Sequence, residues 1–311
     1  MGGMLTLPVG SAYSPRSMGW RVVIVTMIPP VLAGFDAVLR DAGHQPVALL
    51  TMRGFDGPDG TDGTAKLLAA APRDLEILMP ARRTSLVPLL ASVEPDLVVC
   101  MGFPWKIPAD ALAVPKHGWL NGHPSLLPLH RGPTPVAWAI RAGEEEIGIS
   151  FHRMDAELDT GPILAQRRIP LGELQPPDDF FPTAGPVIVE ALAEALAKLE
   201  AGEPGTVQAD GSGSYETFFG DEAVWIDLAR PAAEVHRLAW AWRYSMRVDG
   251  GLKGALLELD GKTVRVLATS LTELEDARRV ECGGGPLWIA ETEDLSEEEA
   301  TQSIGPAPST H

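Results

Sequence analysis

The chain has 311 residues, with 25 Lys+Arg against 42 Asp+Glu and a formal net charge of −17. That length accommodates two domains with cores of their own, and so large an excess of acid disfavours loose electrostatic association with a polyanion, so a phosphate-rich partner would need a local basic patch. Cys100 and Cys282 are far apart in unlike contexts and suggest neither a disulfide framework nor a cysteine metal site. No run of about 18 apolar residues marks a spanning helix. Residues 1–17 lack the basic start and apolar middle of a secretory signal, so a cytoplasmic protein is expected.

In chain order, residues 21–27 (R-V-V-I-V-T-M) form an apolar, largely β-branched run that reads as a buried central strand, and Ile28-Pro29-Pro30 turns into a helix over 31–42 that Gly43 stops. A strand over 45–51, a helix over 64–71, a strand over 75–79 and a helix over 84–93 follow. Residues 96–102 read as a further buried strand, then come a short helix over 108–113 and a strand over 118–123. Strands and helices in alternation specify a parallel sheet with helices on both faces, whose ligands gather beyond the carboxyl ends of the strands. Thr134 is positioned as an N-cap, Pro135 as the first helical residue and Gly143 as the stop of another helix. Strands over 147–154 and 163–169 and a helix over 187–200 complete this region, which spans residues 19–205 after an extension over 1–18. Gly, Pro, Ser and Asp over 203–220 read as a connecting stretch, with the linker placed at 206–220. A second domain over 221–292 contains a helix over 232–242 and a strand pair, 254–259 and 263–268, around Asp260-Gly261. Residues 293–311 read as a disordered acidic tail, the six acids between Glu291 and Glu299 marking its start.

Trp119, Asn121 and His123 alternate in an extended stretch ended by Pro124, which puts all three on one face. The connection Asp155–Pro162 holds Asp159 at a loop tip. An amide, an imidazole and a carboxylate brought together suit acyl transfer to a nucleophile that needs only to lose a proton. The amide and the imidazole stabilise a tetrahedral oxyanion, while the carboxylate holds the ring and relays the proton. Each residue alone is more often a turn former or a satisfied polar group, so spacing leaves the question open. No G-x-G-x-x-G follows the first strand and no G-x-x-x-x-G-K-[S/T] occurs, which removes the usual support for dinucleotide or nucleoside-triphosphate binding. Ser125 lacks a G-x-S-x-G elbow. His152 and Asp155 are metal ligands by type, but no second cluster completes a site.

N-G-H-P-S-L-L-P followed by R-G and, downstream, D-A-E-L-D-T-G resembles the signature of the formyltransferases that use 10-formyltetrahydrofolate, the group that includes methionyl-tRNA formyltransferase. The resemblance runs through residues 20–202, with a looser match in the second domain. It implies a Rossmann-like, mostly parallel sheet followed by a small barrel of the oligonucleotide-binding type. It assigns catalysis to Asn121, His123 and Asp159, and 10-formyltetrahydrofolate as donor with no metal. The pterin slot would be formed by Met101, Gly102, Phe103 and Pro104, by Ser125, Leu126, Leu127 and Pro128, and by Asp155, Ala156, Glu157 and Leu158. His130 and Arg131 are two cations nearby, as readily solvated as ligand-binding. Against the family pattern, Gly122 replaces a larger apolar residue and Pro124 a small one. Where methionyl-tRNA formyltransferases carry a basic insertion, residues 53–63 read R-G-F-D-G-P-D-G-T-D-G, and residues 221–295 hold 9 Lys+Arg and 14 Asp+Glu. A small amine acceptor, such as an amino-sugar nucleotide, amino acid or hydroxylamine, is therefore expected ahead of charged initiator tRNA. Hydrolysis of the donor and a non-catalytic binding module are the remaining alternatives.

Overall fold

The computed structural model describes residues 19–55, 62–209, 211, 213–220, 223–245 and 254–295. Five short apolar strands pair in parallel: β1 (Arg21–Val25), β2 (Gln45–Leu50), β3 (Glu76–Leu78), β4 (Leu97–Cys100) and β5 (Trp119–His123). Two longer strands, β6 (Glu146–Arg153) and β7 (Ile163–Pro170), add to the edge in antiparallel sense, giving the order β3-β2-β1-β4-β5-β6-β7. Six helices serve this sheet: α1 (Pro29–Asp41), α2 (Gly63–Ala70), α3 (Leu86–Val93), α4 (Ala109–Leu112), α5 (Pro135–Ala142) and α6 (Pro177–Glu200). Strands that must be apolar on both faces read as unbroken runs, which is why β1 and β4 were legible.

The two faces are covered unequally, and that positions the site. On one, Val22, Ile24, Leu120 and Phe151 pack with Phe35 of α1 and Leu192 of α6 in a large core. On the other, Val23, Val98, Cys100 and Trp119 pack with Leu86, Leu90 and Ala111 of α3 and α4. That second cluster ends at Trp119. Asn121 and His123, next on the same face of β5, are covered by loops instead.

The second domain contains α7 (Ala232–Arg243) and the strands β8 (Leu256–Leu259), β9 (Lys262–Ser270), β10 (Arg278–Cys282) and β11 (Gly285–Asp294), in an antiparallel half-barrel of order β10-β11-β9-β8. It shares the large core: Phe219 stands edge-on to Trp138 of α5 and to Trp242 of α7, with centroids 4.8 and 5.2 Å apart, and α5 packs on α7.

Several expectations are corrected. α6 begins ten residues before the predicted start, with Pro182 and Pro186 inside it; prolines read as a break because each lacks an N–H and crowds the preceding turn. This helix is long and apolar enough by composition to cross a membrane, yet it buries Phe180, Ile188, Leu192 and Leu196 against the sheet and is a core helix. Thr134 precedes α5 but caps nothing; its hydroxyl is buried without a hydrogen bond. Glu293 and Asp294 belong to β11 rather than to a disordered tail. Glu291 pairs with Arg243 at 2.7 Å and Glu293 with Arg265, so cations on α7 and β9 offset the acids that made this stretch look unstructured. The rest of the expected tail from Ser296, and the extension over 1–18, lie outside the described residues.

Candidate active site

Asn121 and His152 are directly opposed across β5 and β6, so their side chains rise from the same face of the sheet. His152 Nδ1 lies 3.0 Å from the Arg153 carbonyl oxygen, which only accepts, so this nitrogen carries the proton. Its Nε2 is then a bare acceptor, 3.1 Å from Asn121 Nδ2, and receives an amide N–H. The other N–H of Asn121 faces Asp159 Oδ1 at a long 3.4 Å. That weakly engaged N–H is the one open to an incoming carbonyl oxygen.

His123 is fixed by the same reasoning. Its Nε2 donates to the His130 carbonyl at 2.8 Å, which leaves Nδ1 facing Asp159 Oδ1 at 3.6 Å. The ring is buried, with 5% exposure. Burial pushes its pKa below the usual value of 6.5 even though Asp159 and the His130 carbonyl pull the other way. The neutral ring therefore presents a lone pair at Nδ1 toward the site, next to a carboxylate oxygen. Two acceptors at that separation suit a group rich in N–H bonds.

Asp159 sits in left-handed backbone geometry, φ +58°, which aspartate tolerates better than most side chains. Gly132 N–H donates to its Oδ2 at 3.0 Å. Burial opposes ionisation, but attraction to His123 and then to His152 once those rings are protonated, together with that N–H, outweighs it and holds the carboxyl below its ordinary range. The loop is shaped by Asp155, whose Oδ1 accepts from Glu157 N–H (3.1 Å) and Thr160 Oγ–H (2.7 Å), and by Gly161, where a Cβ would lie 1.8 Å from the Arg153 carbonyl oxygen. Buried Cys100 stands behind the carboxylate. Burial and then Asp159 push its thiol up to about 12, so it is no thiolate nucleophile near neutral pH.

The three segments expected to form a heterocycle slot come to the same end of β4 and β5. Met101 is buried, Gly102 has φ +68°, and Phe103 stands edge-on to Trp105 with centroids 5.6 Å apart. Ser125 and Leu127 turn inward: Ser125 Oγ donates to the Leu129 carbonyl at 2.7 Å, and Leu127 N–H donates to Ser150 Oγ at 3.2 Å. Leu126 crowds Gly148, and Pro128 accepts from Ser214 N–H at 3.3 Å. Ala156 is exposed, Leu158 half-buried, and Glu157 pairs with Lys106 at 3.1 Å. Phe103 and Trp105 give this rim apolar rings, and Asp155, Glu157 and Lys106 give it exposed charges. The absence of a side chain at Gly122 has its explanation here: a Cβ would meet the Phe151 ring at 2.9 Å. Phe151 fills from β6 the volume that a larger residue would take on β5.

The linker closes the site. His130 N–H donates to Ser214 Oγ (3.0 Å), Arg131 N–H to the Ser214 carbonyl (3.1 Å), and Glu216 N–H to the Arg131 carbonyl (2.9 Å). Gln208 Nε2 donates to the Asp159 and Gly161 carbonyls at 2.9 and 2.8 Å. His130 itself is held between Glu144 and Glu216, at 2.8 and 3.2 Å. These contacts, and the pairing of His152 with Asn121, were not legible in the sequence, which offered His152 only as a metal ligand by type, because they depend on strand register and chain return.

Residues 72–178, which contain all of these catalytic candidates, match the family model described as formyl transferase. Methionyl-tRNA formyltransferase of Cutibacterium acnes is 31% identical over 250 residues, covering 77% of this chain and 75% of that protein. Its counterpart in Anaeromyxobacter dehalogenans is 33% identical over 285 residues, covering 82% and 85%. The fold is shared with WlaRD, a sugar 3N-formyltransferase whose crystal structure was obtained in the presence of dTDP and 5-N-formyltetrahydrofolate, with a TM-score of 0.61, 17% identity and coverage of 88% and 98%. With that likeness extending over most of both lengths, the chain belongs to the formyl transferase family.

Proposed function

We propose that the protein transfers a formyl group from 10-formyltetrahydrofolate to an amine, with Asn121, His123 and Asp159 as its catalytic residues. The observation that carries this reading is the meeting of one amide N–H and one imidazole lone pair at a single carboxylate oxygen, Asp159 Oδ1, at 3.4 and 3.6 Å. The donor would lie along Met101–Pro104, Ser125–Pro128 and Asp155–Leu158, where its role is to supply an activated formyl carbon. The Asn121 N–H that now makes only a long bond to Asp159 stabilises the developing oxyanion, a type of interaction worth about 2.7–4 kcal/mol per donor. With Nε2 committed to the His130 carbonyl, His123 contributes through Nδ1, which accepts from the attacking amine and, once protonated, donates to the oxygen. Asp159 stabilises that imidazolium, and the proton taken from the amine passes to the nitrogen of the departing tetrahydrofolate that carried the formyl group, as that C–N bond breaks and the carbonyl re-forms.

For the acceptor, the aminoacyl group of methionyl-tRNA is the reading best supported, because the curated relatives that cover most of this chain carry that name. It displaces the expectation of a small amine from first place. The small amine stays as a second reading on one observation: Arg53 is followed by Asp56, Asp59 and Asp62 where a basic insertion would grip tRNA, and the second domain is acidic. Labelled 10-formyltetrahydrofolate offered to charged initiator tRNA and to a panel of amino-sugar nucleotides and hydroxylated amino acids tests both. Formyl-methionyl-tRNA at a salt-dependent rate is the expected product. Transfer to a small amine alone would replace the first reading by the second, and transfer to neither would remove both.

A further inference from the structure

Beside Asp159 lies a cavity of about 340 Å³ lined by Lys106, Arg131, Glu157, Leu158, Thr160 and Tyr215. We infer that it seats the nucleotide portion of the acceptor, with Arg131 on the phosphate and Tyr215 against the flat ring; this rests on the formyltransferase reading above. Leu158 and Thr160 are the immediate neighbours of Asp159 in the chain, and the residue after Arg131 donates to the Asp159 carboxylate. A group held here is therefore delivered next to the catalytic centre. The volume is at the small end for ligand sites and suits one mononucleotide unit.

Charge distinguishes the two cations. Lys106 is matched by Glu157 at 3.1 Å. Arg131 instead meets the neutral amide oxygen of Gln208, Nε at 3.2 Å and Nη2 at 2.7 Å, and has no carboxylate partner among the described residues. Both N–H bonds of Gln208 go to the Asp159 and Gly161 carbonyls, so its oxygen must face the guanidinium and fixes the fork in place. In a chain of net charge −17, a guanidinium held by a neutral group keeps its full charge for a ligand. With Nε and one Nη2 N–H spent on Gln208, the Nη1–Nη2 edge of the fixed plane is what remains for the oxygens of a phosphate.

Tyr215 supplies the second element. It is 53% exposed on a cavity wall, and it is held there by the backbone bonds that join its neighbours Ser214 and Glu216 to Arg131. Leu158 offers an apolar surface within the same cavity. An exposed aromatic beside a phosphate-directed guanidinium is the pairing that holds a nucleobase and its phosphate together. The terminal nucleotide of a charged tRNA and the nucleotide of an amino sugar share this chemistry.

Titration calorimetry with adenosine 5′-monophosphate, adenosine and 5-formyltetrahydrofolate on the full chain tests the site. Arg131→Gln should weaken the monophosphate at least tenfold and leave adenosine and 5-formyltetrahydrofolate within twofold. Tyr215→Ala, which alters an exposed ring and leaves the fold alone, should weaken monophosphate and nucleoside alike. Unchanged monophosphate binding in both variants would overturn the assignment. So would a loss in Arg131→Gln that falls on 5-formyltetrahydrofolate, since the guanidinium would then serve a donor carboxylate. In formyl transfer, Arg131→Gln should raise the KM of methionyl-tRNA, or of an amino-sugar nucleotide if that is the active acceptor, at least tenfold with a smaller loss in kcat. If transfer proceeds with an unaltered acceptor KM, the nucleotide site falls and the formyltransferase reading stands. If no acceptor is formylated while the monophosphate still needs Arg131, the reading falls and the site stands.

Discussion

His152 decides which way the Asn121 amide faces. Its proton is tied to the Arg153 carbonyl, so rotating Asn121 by half a turn would set the amide oxygen against a lone pair. Removing one oxyanion donor costs roughly 10²–10³ in kcat, and His152→Ala, which only frees the amide to turn, should cost up to about 10²-fold with the donor KM little changed. His152→Gln, able to accept through its side-chain oxygen, should recover part of the loss. A full-rate His152→Ala enzyme would remove this positioning role. The second residue-scale expectation concerns His123, whose pKa lies below 6.5 with Asp159 as a raising influence. Followed by NMR, it should titrate below 6.5 in the wild type and lower still in Asp159→Asn, because the attraction that favours the charged ring is gone. A value above 6.5 would mean that burial does not dominate there. Asn121, His123 and Asp159 were legible because strand alternation and a specific pair of motifs named them. The positioning role of His152 was not: the sequence offered it only as a metal ligand by type, in the run I-S-F-H-R, and only the register of β5 on β6 shows that it faces Asn121.

At the scale of elements, the loop between β6 and β7 carries the carboxylate, and a backbone contact sets its path. Gly161 approaches the Arg153 carbonyl so closely that any Cβ forces a displacement. Gly161→Ala should therefore destabilise the protein by about 1–3 kcal/mol, as overpacking commonly does, and should lower kcat by moving Asp159 two residues upstream. Urea unfolding and a rate measurement on one preparation check this. Wild-type stability and rate together would show that the loop yields without consequence. The linker teaches the complementary lesson. Its Gly, Ser and Asp content describes backbone freedom and says nothing of the partners that backbone finds. Here it crosses the site and binds the His130–Arg131 segment, whose carbonyl fixes the tautomer of His123.

For the whole molecule, the two domains share a core through Trp138, Phe219 and Trp242, so a loss of stability in either is expected to appear in a single unfolding transition. His236 on α7 supplies one such loss. Burial first, and Arg237 second, push it down to about 4, while its side chain pairs with the Thr269 hydroxyl at 2.9 Å. The unfolded chain takes up that proton near 6.5 and the folded one near 4. The contribution is thus complete above pH 6.5 and declines as pH falls from 6.5 to about 4. Thermal melts at pH 7 and pH 4.5 should show a smaller drop in Tm for His236→Gln than for wild type; parallel drops would exclude His236 as the cause. The α/β architecture was legible because its strands are unbroken apolar runs, whereas β10 and β11 were not, being strands dense in charge that their neighbours neutralise. The most direct test of the central claim is the rate of tetrahydrofolate formation from 10-formyltetrahydrofolate in the presence of charged initiator tRNA, compared between wild type and Asp159→Asn. The account predicts a loss of about 10³-fold or more, combining proton transfer with stabilisation of the imidazolium, in a variant that retains its circular dichroism and its affinity for 5-formyltetrahydrofolate. A folded Asp159→Asn enzyme that keeps the wild-type rate would contradict it.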